Sequence, residues 1–382
     1  MTVLAGARVV TPAGVLDPGW IRIDGDRIAA VGAGSPPGEA VSLDGRWIVP
    51  GFVDVHVHGG AGASYMTGDS AEARAAAAFH RSRGTTTTMA SLVTAGVEDL
   101  ERAVRSLAEL VADGELAGIH LEGPYLSPAH AGAHDTALLR APDRGELERL
   151  LRAGAGTVRM VTVAPELPGA LDLVRATVDA GAVAAIGHTD ATYDQAREAI
   201  DAGARVATHL FNAMRGIHHR EPGPAIAAIE DERIVIEVIN DGIHLHDAVA
   251  AQVFAAAGPQ RVALITDATA AGMPDGRYTL GPVDVQVTGG VARLAHGDSI
   301  AGSTLTMDVA LRRAVTELGV PIVDAVTAAS TVPARLLGLG DDLGSVEPGR
   351  RADLAVLDDD LALTGVMARG AWVERAEATA AR

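Results

Sequence analysis

The 382-residue sequence contains no cysteine, and all 31 of its basic residues are arginine. Without cysteine, disulfides, thiolate metal sites and a cysteine nucleophile are excluded together. Without lysine, Schiff-base chemistry and a phosphate-binding P-loop lysine are excluded. A carboxylated lysine that bridges two metal ions is excluded as well. Any metal ion must therefore be held by His, Asp or Glu side chains.

Long apolar runs and basic clusters are also missing. No apolar stretch is long enough to span a membrane, and the N-terminus lacks the basic and apolar regions of a signal peptide. We therefore expect a cytoplasmic protein without a membrane partner. The net charge of −18 and the lack of a basic patch argue against a nucleic-acid partner. An anionic small substrate would need local cations in its pocket, because the overall field repels it.

The middle of the chain, residues 51–342, alternates short apolar runs with segments of helical period. Eight of these runs are predicted strands: Phe52–Val57, Thr85–Ser91, Gly118–Leu121, Val158–Val163, Val183–Ile186, Val206–Thr208, Ile234–Ile239 and Val262–Thr266. Strands that alternate with helices indicate parallel βα units, and eight of them indicate an α/β fold closed into a (β/α)8 TIM-like barrel. A doubly wound open sheet is the alternative, but no G-x-G-x-x-G follows a strand to support it.

The two ends of the chain carry a different, strand-rich pattern with Asp-Gly turns. The predicted strands at these ends are Val3–Val10, Trp20–Ile23, Arg27–Val31, Asp353–Leu357 and Val366–Val373. We therefore expect one small β-sandwich domain built from both termini, residues 1–50 and 343–382, beside a barrel of residues 51–342.

Polar side chains follow six of the eight predicted strands. They are His56 and His58 after the first, Glu122 after the third, His188 after the fifth, His209 after the sixth, Asn240, Asp241 and His244 after the seventh, and Asp267 after the eighth. The carboxyl ends of barrel strands meet on one face, where active sites are built. A lone His at a strand end is more often structural, and Asp267 could cap a helix. The coincidence at six strand ends favours metal binding over structural roles throughout.

Two groups of these residues have the pattern of metal ligands. His56 and His58 lie two residues apart on a strand, so both imidazoles point the same way. Glu122, His188 and His209 form an N,N,O ligand set with open positions for water, which is typical of a catalytic rather than a structural site. Five further histidines are interpreted as structural: His80, His120, His130, His246 and His296.

Seven stretches spread over nearly the whole barrel carry a family resemblance: PGFVDVHVHG (50–59), HLEGPYLSPAHAGAH (120–134), GHTDATY (187–193), ATHLFNAMRGIHHREPG (207–223), INDGIHLH (239–246), LITDATAAG (264–272) and AGSTLTMD (301–308). In combination they resemble the amidohydrolase superfamily and, within it, the deacetylases of N-acetylglucosamine 6-phosphate. The resemblance implies a metal-dependent enzyme of amino-sugar catabolism and recycling. Such an enzyme hydrolyses N-acetylglucosamine 6-phosphate to glucosamine 6-phosphate and acetate by means of a metal-activated water.

The resemblance also implies roles for the residues nearest the reacting amide. Glu122, His188 and His209 would bind the main metal ion, and Asp267 would act as the catalytic base and then acid. His134 would contact the substrate near the amide.

Other positions are implied to bind the rest of the substrate. Asn212, Ala213 and Arg220 would contact the sugar phosphate, and arginine forks match phosphate oxygens well. His244 would reach the phosphate pocket of a neighbouring subunit, which implies a homodimer.

The number and identity of the metal ions stay open. Some members of the family have another residue at the second position of H-x-H and hold one ion, whereas this chain has His56 and His58. A second ion bound by these two side chains and bridged by Glu122 is therefore consistent with the sequence. Zn²⁺ and Fe²⁺ both suit these ligands, with one or two ions per subunit.

Three alternatives to this function remain. The first is the same chemistry on another acetamido sugar phosphate, such as N-acetylgalactosamine 6-phosphate. The second is another amidohydrolase, such as a dihydroorotase or a deaminase, against which HLEGP and THLFNAM argue. The third is a non-catalytic scaffold that kept the fold and lost the chemistry. Such a protein would lack some of the metal ligands, whereas every expected ligand type is present here.

Overall fold

The structure, a computed structural model, describes residues 1–280, 283–297 and 299–374. The chain begins with five strands: β1 (Thr2–Thr11), β2 (Gly14–Asp24), β3 (Arg27–Ala33), β4 (Val41–Ser42) and β5 (Trp47–Pro50). Its middle holds thirteen more: β6 (Phe52–Asp54), β7 (Gly59–Gly60), β8 (Ala63–Ser64), β9 (Thr85–Leu92), β10 (Gly118–Glu122), β11 (Val158–Val163), β12 (Val183–Ile186), β13 (Val206–Ala207), β14 (Val235–Ile239), β15 (Val262–Ile265), β16 (Gly276–Leu280), β17 (Val283–Thr288) and β18 (Val291–Leu294). The last three are β19 (Leu354–Leu357), β20 (Leu363–Ala368) and β21 (Ala371–Trp372).

The α-helices surround the barrel strands: α1 (Ser70–Ser82), α2 (Val97–Ala112), α3 (Arg144–Ala153), α4 (Ala170–Asp179), α5 (Tyr193–Ala202), α6 (Gly223–Glu230), α7 (Asp247–Ala257), α8 (Met307–Thr316), α9 (Ile322–Val326) and α10 (Val332–Leu336). Helix α2 buries Leu100, Val104 and Leu107 on one face, the amphipathic pattern of a helix packed on a core. Helix α5 starts with a capping box between Thr192 and Gln195. Among the described helices, none combines the length and the apolarity needed to cross a bilayer.

The barrel strands lie side by side in sequence order: β6, β9, β10, β11, β12, β13, β14 and β15. Each neighbouring pair is parallel. Most of these strands are largely apolar, as in β15, where all four residues are buried. Such runs are expected when helices cover a parallel sheet. The predicted (β/α)8 barrel is confirmed.

The barrel closes between β6 and β15 partly through a buried side chain. The Asp54 carboxylate accepts hydrogen bonds from the Thr266 hydroxyl at 2.5 Å and from the backbone N–H of His56 at 3.2 Å. One residue beyond, the Asp267 N–H donates to the His56 carbonyl at 2.8 Å. Burial raises the pKa of Asp54 to about 7, against these hydrogen bonds. The seam between the first and last barrel strands therefore also fixes the backbone of two predicted site residues.

Both ends of the chain contribute to a second eight-stranded sheet. Its order is β21-β20-β19-β5-β1-β2-β3, with β4 beside β1, so β5 lies between N-terminal β1 and C-terminal β19. We propose residues 1–50 and 343–382 as one domain and 51–342 as the barrel domain; residues 375–382 lie outside the described part of the chain. The prediction of one strand over 366–373 is wrong, because Arg369 and Gly370 adopt positive φ angles and turn the chain into the hairpin β20–β21.

A three-stranded antiparallel sheet, β16-β17-β18, was not predicted. A signal for it exists, because Val283, Val285 and Val287 alternate with polar residues before Gly289 and Gly290. The side chains of Val285 and Val287 are buried and belong to a small apolar cluster that includes Ala301. The sheet is thereby held against the carboxyl-terminal face of the barrel.

Candidate metal centre

The backbone at the carboxyl ends of the barrel strands is unusually strained. Ten described non-glycine residues have positive φ, and five of them follow barrel strands here: His188, His209, Phe211, Ala213 and Asp267. Such conformations cost free energy and persist where the surrounding structure enforces them, often at functional sites. The strain therefore marks these strand ends independently of side-chain identity.

Glu122, His188 and His209 converge as the sequence predicts. The Oε1 atom of Glu122 lies 3.1 Å from His188 Nε2 and 3.0 Å from His209 Nε2, and the two nitrogens are 3.1 Å apart. His188 Nδ1 donates to the His130 carbonyl at 2.9 Å. In the neutral imidazole this leaves the His188 Nε2 lone pair directed at Glu122 and His209.

His56 and His58 approach Glu122 from the other side. Their Nε2 atoms are 3.2 Å apart; His58 Nε2 lies 3.2 Å from Glu122 Oε2, and His56 Nε2 lies 3.4 Å from Glu122 Oε1. The Nδ1 atom of His58 faces the Ser91 carbonyl at 3.1 Å, and that of His56 faces the Glu237 carboxylate at 3.0 Å. Both acceptors favour a proton on Nδ1, so both Nε2 lone pairs point to Glu122.

This donor set fits a divalent cation. Nitrogen lone pairs and carboxylate oxygens crowd around one point at about 3 Å spacing, and hydrogen bonds alone cannot satisfy them all. Two sets of described residues have ligand atoms close enough to hold an ion: His56, His58 and Glu122, and also Glu122, His134 and His188. Glu122 belongs to both, so it is placed to bridge two ions.

His134 differs from the other histidines in its protonation. Its Nδ1 atom accepts the backbone N–H of Thr94 at 3.2 Å, so in the neutral ring Nε2 carries the hydrogen. Burial, and then the neighbouring His188, lower the pKa of His134 to about 4. The ring is therefore a neutral donor with Nε2 3.5 Å from Glu122 Oε2. We interpret His209, rather than His134, as the partner of His188 in holding an ion.

Two carboxylates at the site are ionised. Burial alone would raise the pKa of Glu122, but the surrounding imidazoles, His56 first, hold it well below its ordinary value. Burial also opposes ionisation of Asp267, yet the neighbouring His58 and His56 side chains together hold its pKa below the ordinary value. Asp267 Oδ1 lies 3.0 Å from His58 Nε2 and 3.6 Å from His56 Nε2. An ionised Asp267 can accept a proton.

Two buried residues that support the site were not predicted from the sequence as site residues. The Oε2 atom of Glu237 accepts from His56 Nδ1 at 3.0 Å and from the His209 N–H at 3.1 Å. A carboxylate in the middle of the apolar strand β14 was the available signal. His120, interpreted as structural, bonds Ser91 and Thr162, and its ring centroid lies 4.6 Å from that of His56. Glu237 and His120 therefore both contact the buried His56 ring.

A cavity of about 390 Å³ opens over this cluster. Nine predicted site residues line it: His58, Glu122, His134, His188, His209, Asn212, Ala213, His244 and Asp267. His56 lies beneath, fully buried. Apolar side chains form much of the remaining wall: Met66, Val93, Ala133, Val283, Val285 and Ile300.

The two basic side chains predicted to bind the phosphate, His244 and Arg220, are placed differently from each other. His244 lines the chain's own cavity, whereas the resemblance implied a neighbouring subunit's pocket. Its Nδ1 atom lies 2.7 Å from Asp241 Oδ2; burial alone would lower the pKa of His244, but its hydrogen bond to Asp241 and the negative charges of Asp241 and Asp267 together raise it. Arg220 is exposed beside His219, and no arginine is among the described residues that line the cavity.

Known proteins are similar to this chain in sequence and fold. The amidohydrolase family profile matches residues 47–373. The solved structure of a Mycobacterium smegmatis N-acetyl-D-glucosamine-6-phosphate deacetylase, an aspartate-to-alanine mutant in complex with N-acetyl-D-glucosamine 6-phosphate, is 52% identical with a TM-score of 0.95 and covers 97% of this chain and 99% of that one. N-acetylgalactosamine-6-phosphate deacetylase of Escherichia coli O157:H7 is 40% identical over 96% of this chain and 98% of its own length. N-acetylglucosamine-6-phosphate deacetylase of Vibrio furnissii is 36% identical over 88% and 85%.

Proposed function

Because the chain belongs to the amidohydrolase family, we propose that it hydrolyses N-acetyl-D-glucosamine 6-phosphate to D-glucosamine 6-phosphate and acetate. It is a metal-dependent hydrolase of amide bonds. The observation that carries the proposal is the convergence on Glu122 of the Nε2 atoms of His188 and His209, beside the ionised Asp267. A base and a cation site thus lie together on the wall of one cavity.

The ligands proposed for the ion are Glu122, His188 and His209, with His56 and His58 for a second ion. Zn²⁺ and Fe²⁺ suit this nitrogen and oxygen set. When bound, such an ion acidifies the attacking water and polarises the amide carbonyl.

The chain's own residues supply the proton transfers. The ionised Asp267 carboxylate takes a proton from the attacking water as the water oxygen bonds to the acetyl carbon. It then returns that proton to the amide nitrogen as the C–N bond breaks, because an unprotonated amide anion is too basic to leave. The His134 Nε2–H donates a hydrogen bond to the carbonyl oxygen, where negative charge develops. Water and amide are thereby converted to acetic acid and amine, and transfer of the acid's proton to the amine gives acetate and an ammonium group.

Substrate binding is proposed for Asn212, Ala213, Arg220 and His244. The raised pKa of His244 favours an imidazolium inside the cavity, which suits a phosphate. Arg220 is exposed and lies outside the described lining residues of its own cavity. We propose that a second copy of the chain brings its Arg220 to the phosphate, so that the working form is a homodimer. A cytoplasmic location, expected from the sequence, is part of the same proposal.

A second candidate substrate is N-acetyl-D-galactosamine 6-phosphate. It is favoured by the Escherichia coli relative, which is named for that substrate and is 40% identical over nearly its whole length. The two sugars differ in the orientation of one hydroxyl group, and the chemistry at the acetamide is the same.

Metal analysis and a substrate panel test the proposal together. Purified protein is assayed for bound Zn and Fe, and acetate release is measured with both acetamido sugars and their 6-phosphates. We expect a stoichiometric metal and the highest kcat/KM for the gluco 6-phosphate. Glu122→Gln should lose metal and activity together, because an amide is a much weaker ligand than a carboxylate. Release of acetate by metal-free protein at the same rate would contradict the proposal.

A further inference from the structure

One carboxylate outside the cavity joins three of the loops that build it. Asp190, in the loop after β12, accepts from His130 Nε2 at 3.1 Å in the loop after β10. It also accepts from Arg215, in the loop after β13, with Nε and Nη2 each 3.0 Å from a carboxylate oxygen. A bidentate arginine–carboxylate pair of this kind fixes orientation as well as distance.

The loop after β10 contacts the proposed metal ligand His188 and contains the proposed substrate donor His134. The His130 carbonyl accepts from His188 Nδ1 at 2.9 Å, and the Ser127 N–H donates to the His188 carbonyl at 2.9 Å. Four residues after His130, the same loop contains His134. The hydrogen bond between His130 and Asp190 therefore acts on the orientation of both rings.

Backbone hydrogen bonds tie the loop after β13 to the same point. The Thr189 N–H donates to the Ala213 carbonyl at 3.0 Å, and the Arg215 N–H donates to the Thr189 carbonyl at 2.9 Å. Asp190 itself is held from behind, since its N–H donates to Glu166 Oε1 at 2.7 Å. The three loops thus have one rigid junction.

We infer that Asp190 and Arg215 are positioning residues that lock His188 in its ligand orientation and His134 at the carbonyl. Neither of the two belongs to the described lining of the cavity, so both act through the loops. Their side chains are 41% and 32% exposed, and a pair this exposed contributes little to global stability. The consequence of breaking it should therefore fall on the site rather than on the fold.

The chain offers a matched control at Asp231. Its carboxylate also joins two cationic side chains, Arg197 at 2.8 Å and Arg233 at 2.7 Å. It is more buried, at 6% exposure, and lies between α6 and β14, at the amino end of a barrel strand. Breaking this junction should lower stability without moving the site.

The test uses the Zn²⁺-loaded protein and rests on the proposed function. Asp190→Asn and Arg215→Met are compared with Asp231→Asn for the rate of zinc loss to EDTA and for kcat and KM on N-acetyl-D-glucosamine 6-phosphate. We expect zinc loss at least about tenfold faster and kcat at least about tenfold lower in the first two, the usual size for groups that orient metal ligands. Arg215→Lys, which keeps the charge but not the fork, should be intermediate. Asp231→Asn should lower Tm with zinc loss and kcat within about twofold of wild type.

Two results would overturn the inference. If Asp190→Asn and Arg215→Met lower only Tm, as the control does, the pair is merely structural. If they raise KM alone while zinc loss and kcat stay at wild-type values, the junction serves the sugar-binding loop and not His188. A wild-type protein that neither retains zinc nor releases acetate would instead refute the proposed function, and the inference with it.

Discussion

The Nε2 atom of His58 lies 3.0 Å from Oδ1 of Asp267, close enough for both side chains to meet the same ion. Asp267 is therefore a candidate ligand as well as a candidate base. The two roles separate by substitution, because asparagine has nearly the same shape as aspartate but cannot hold the transferred proton.

We predict that Asp267→Asn lowers kcat by at least about 10²-fold, the low end for a positioned acid/base. The metal content should stay near that of the wild type, because Glu122, His188 and His209 remain. The two measurements are steady-state acetate release and metal analysis of the same preparation. Loss of metal in parallel with the rate would assign Asp267 as a ligand, and an unchanged kcat would refute its catalytic role.

His134 should behave as a donor and not as a ligand. We predict that His134→Ala lowers kcat by about 10²–10³-fold, as removal of one oxyanion donor does elsewhere, with metal content unchanged. His134→Gln keeps an N–H group at a similar reach and should recover part of the rate. A metal-depleted His134→Ala protein would show instead that the ring coordinates the ion.

Arg220→Ala should weaken binding of the phosphorylated sugar selectively. A charged hydrogen bond removed from a phosphate costs about 1.5–3 kcal/mol, to be measured as the change in kcat/KM. The unphosphorylated sugar should be turned over at the wild-type rate. Arg149→Ala, which removes an exposed arginine paired with Glu101, is the control. Equal losses on both sugars would mean that Arg220 supports its own loop.

The buried His80 side chain should cause part of the loss of stability in acid. Its Nε2 atom donates to the Gly59 carbonyl, and burial lowers the pKa of His80 to about 4. The unfolded chain, with a pKa near 6.5, binds the proton more readily, so stability falls as pH drops from about 6.5 to about 4. His80→Gln should flatten the free energy of unfolding in this window, as measured by denaturant titration. Exposed His296→Gln should leave the slope unchanged, and an identical slope in His80→Gln would refute the assignment.

The barrel and the convergence of the candidate ligands could be predicted because both follow from short-range pattern. Runs such as Val158–Val163 are apolar because helices cover the sheet, and a parallel barrel brings every strand end to one face. The proton positions could not be predicted, since His134 differs from His188 only in what its Nδ1 atom meets.

Contacts between loops could not be predicted from the sequence either. Asp190 and Arg215 are 25 residues apart and carry no periodic signal. His130 was interpreted as structural, although its carbonyl accepts a hydrogen bond from the candidate ligand His188. The sheet β16-β17-β18 was within reach, through the alternation at Val283, Val285 and Val287.

The seam between β6 and β15 has a consequence for folding during synthesis. Asp54 and Thr266 are 212 residues apart, and the same seam brings Asp267 to His56 and His58. During translation, His56 and His58 are synthesised early, and Asp267 is added only after most of the barrel has been translated. A nascent chain that ends before residue 266 carries the histidines but has neither a closed barrel nor the candidate base Asp267. Until the last barrel strand, β15, has left the exit tunnel, the barrel cannot close and Asp267 cannot reach the paired histidines.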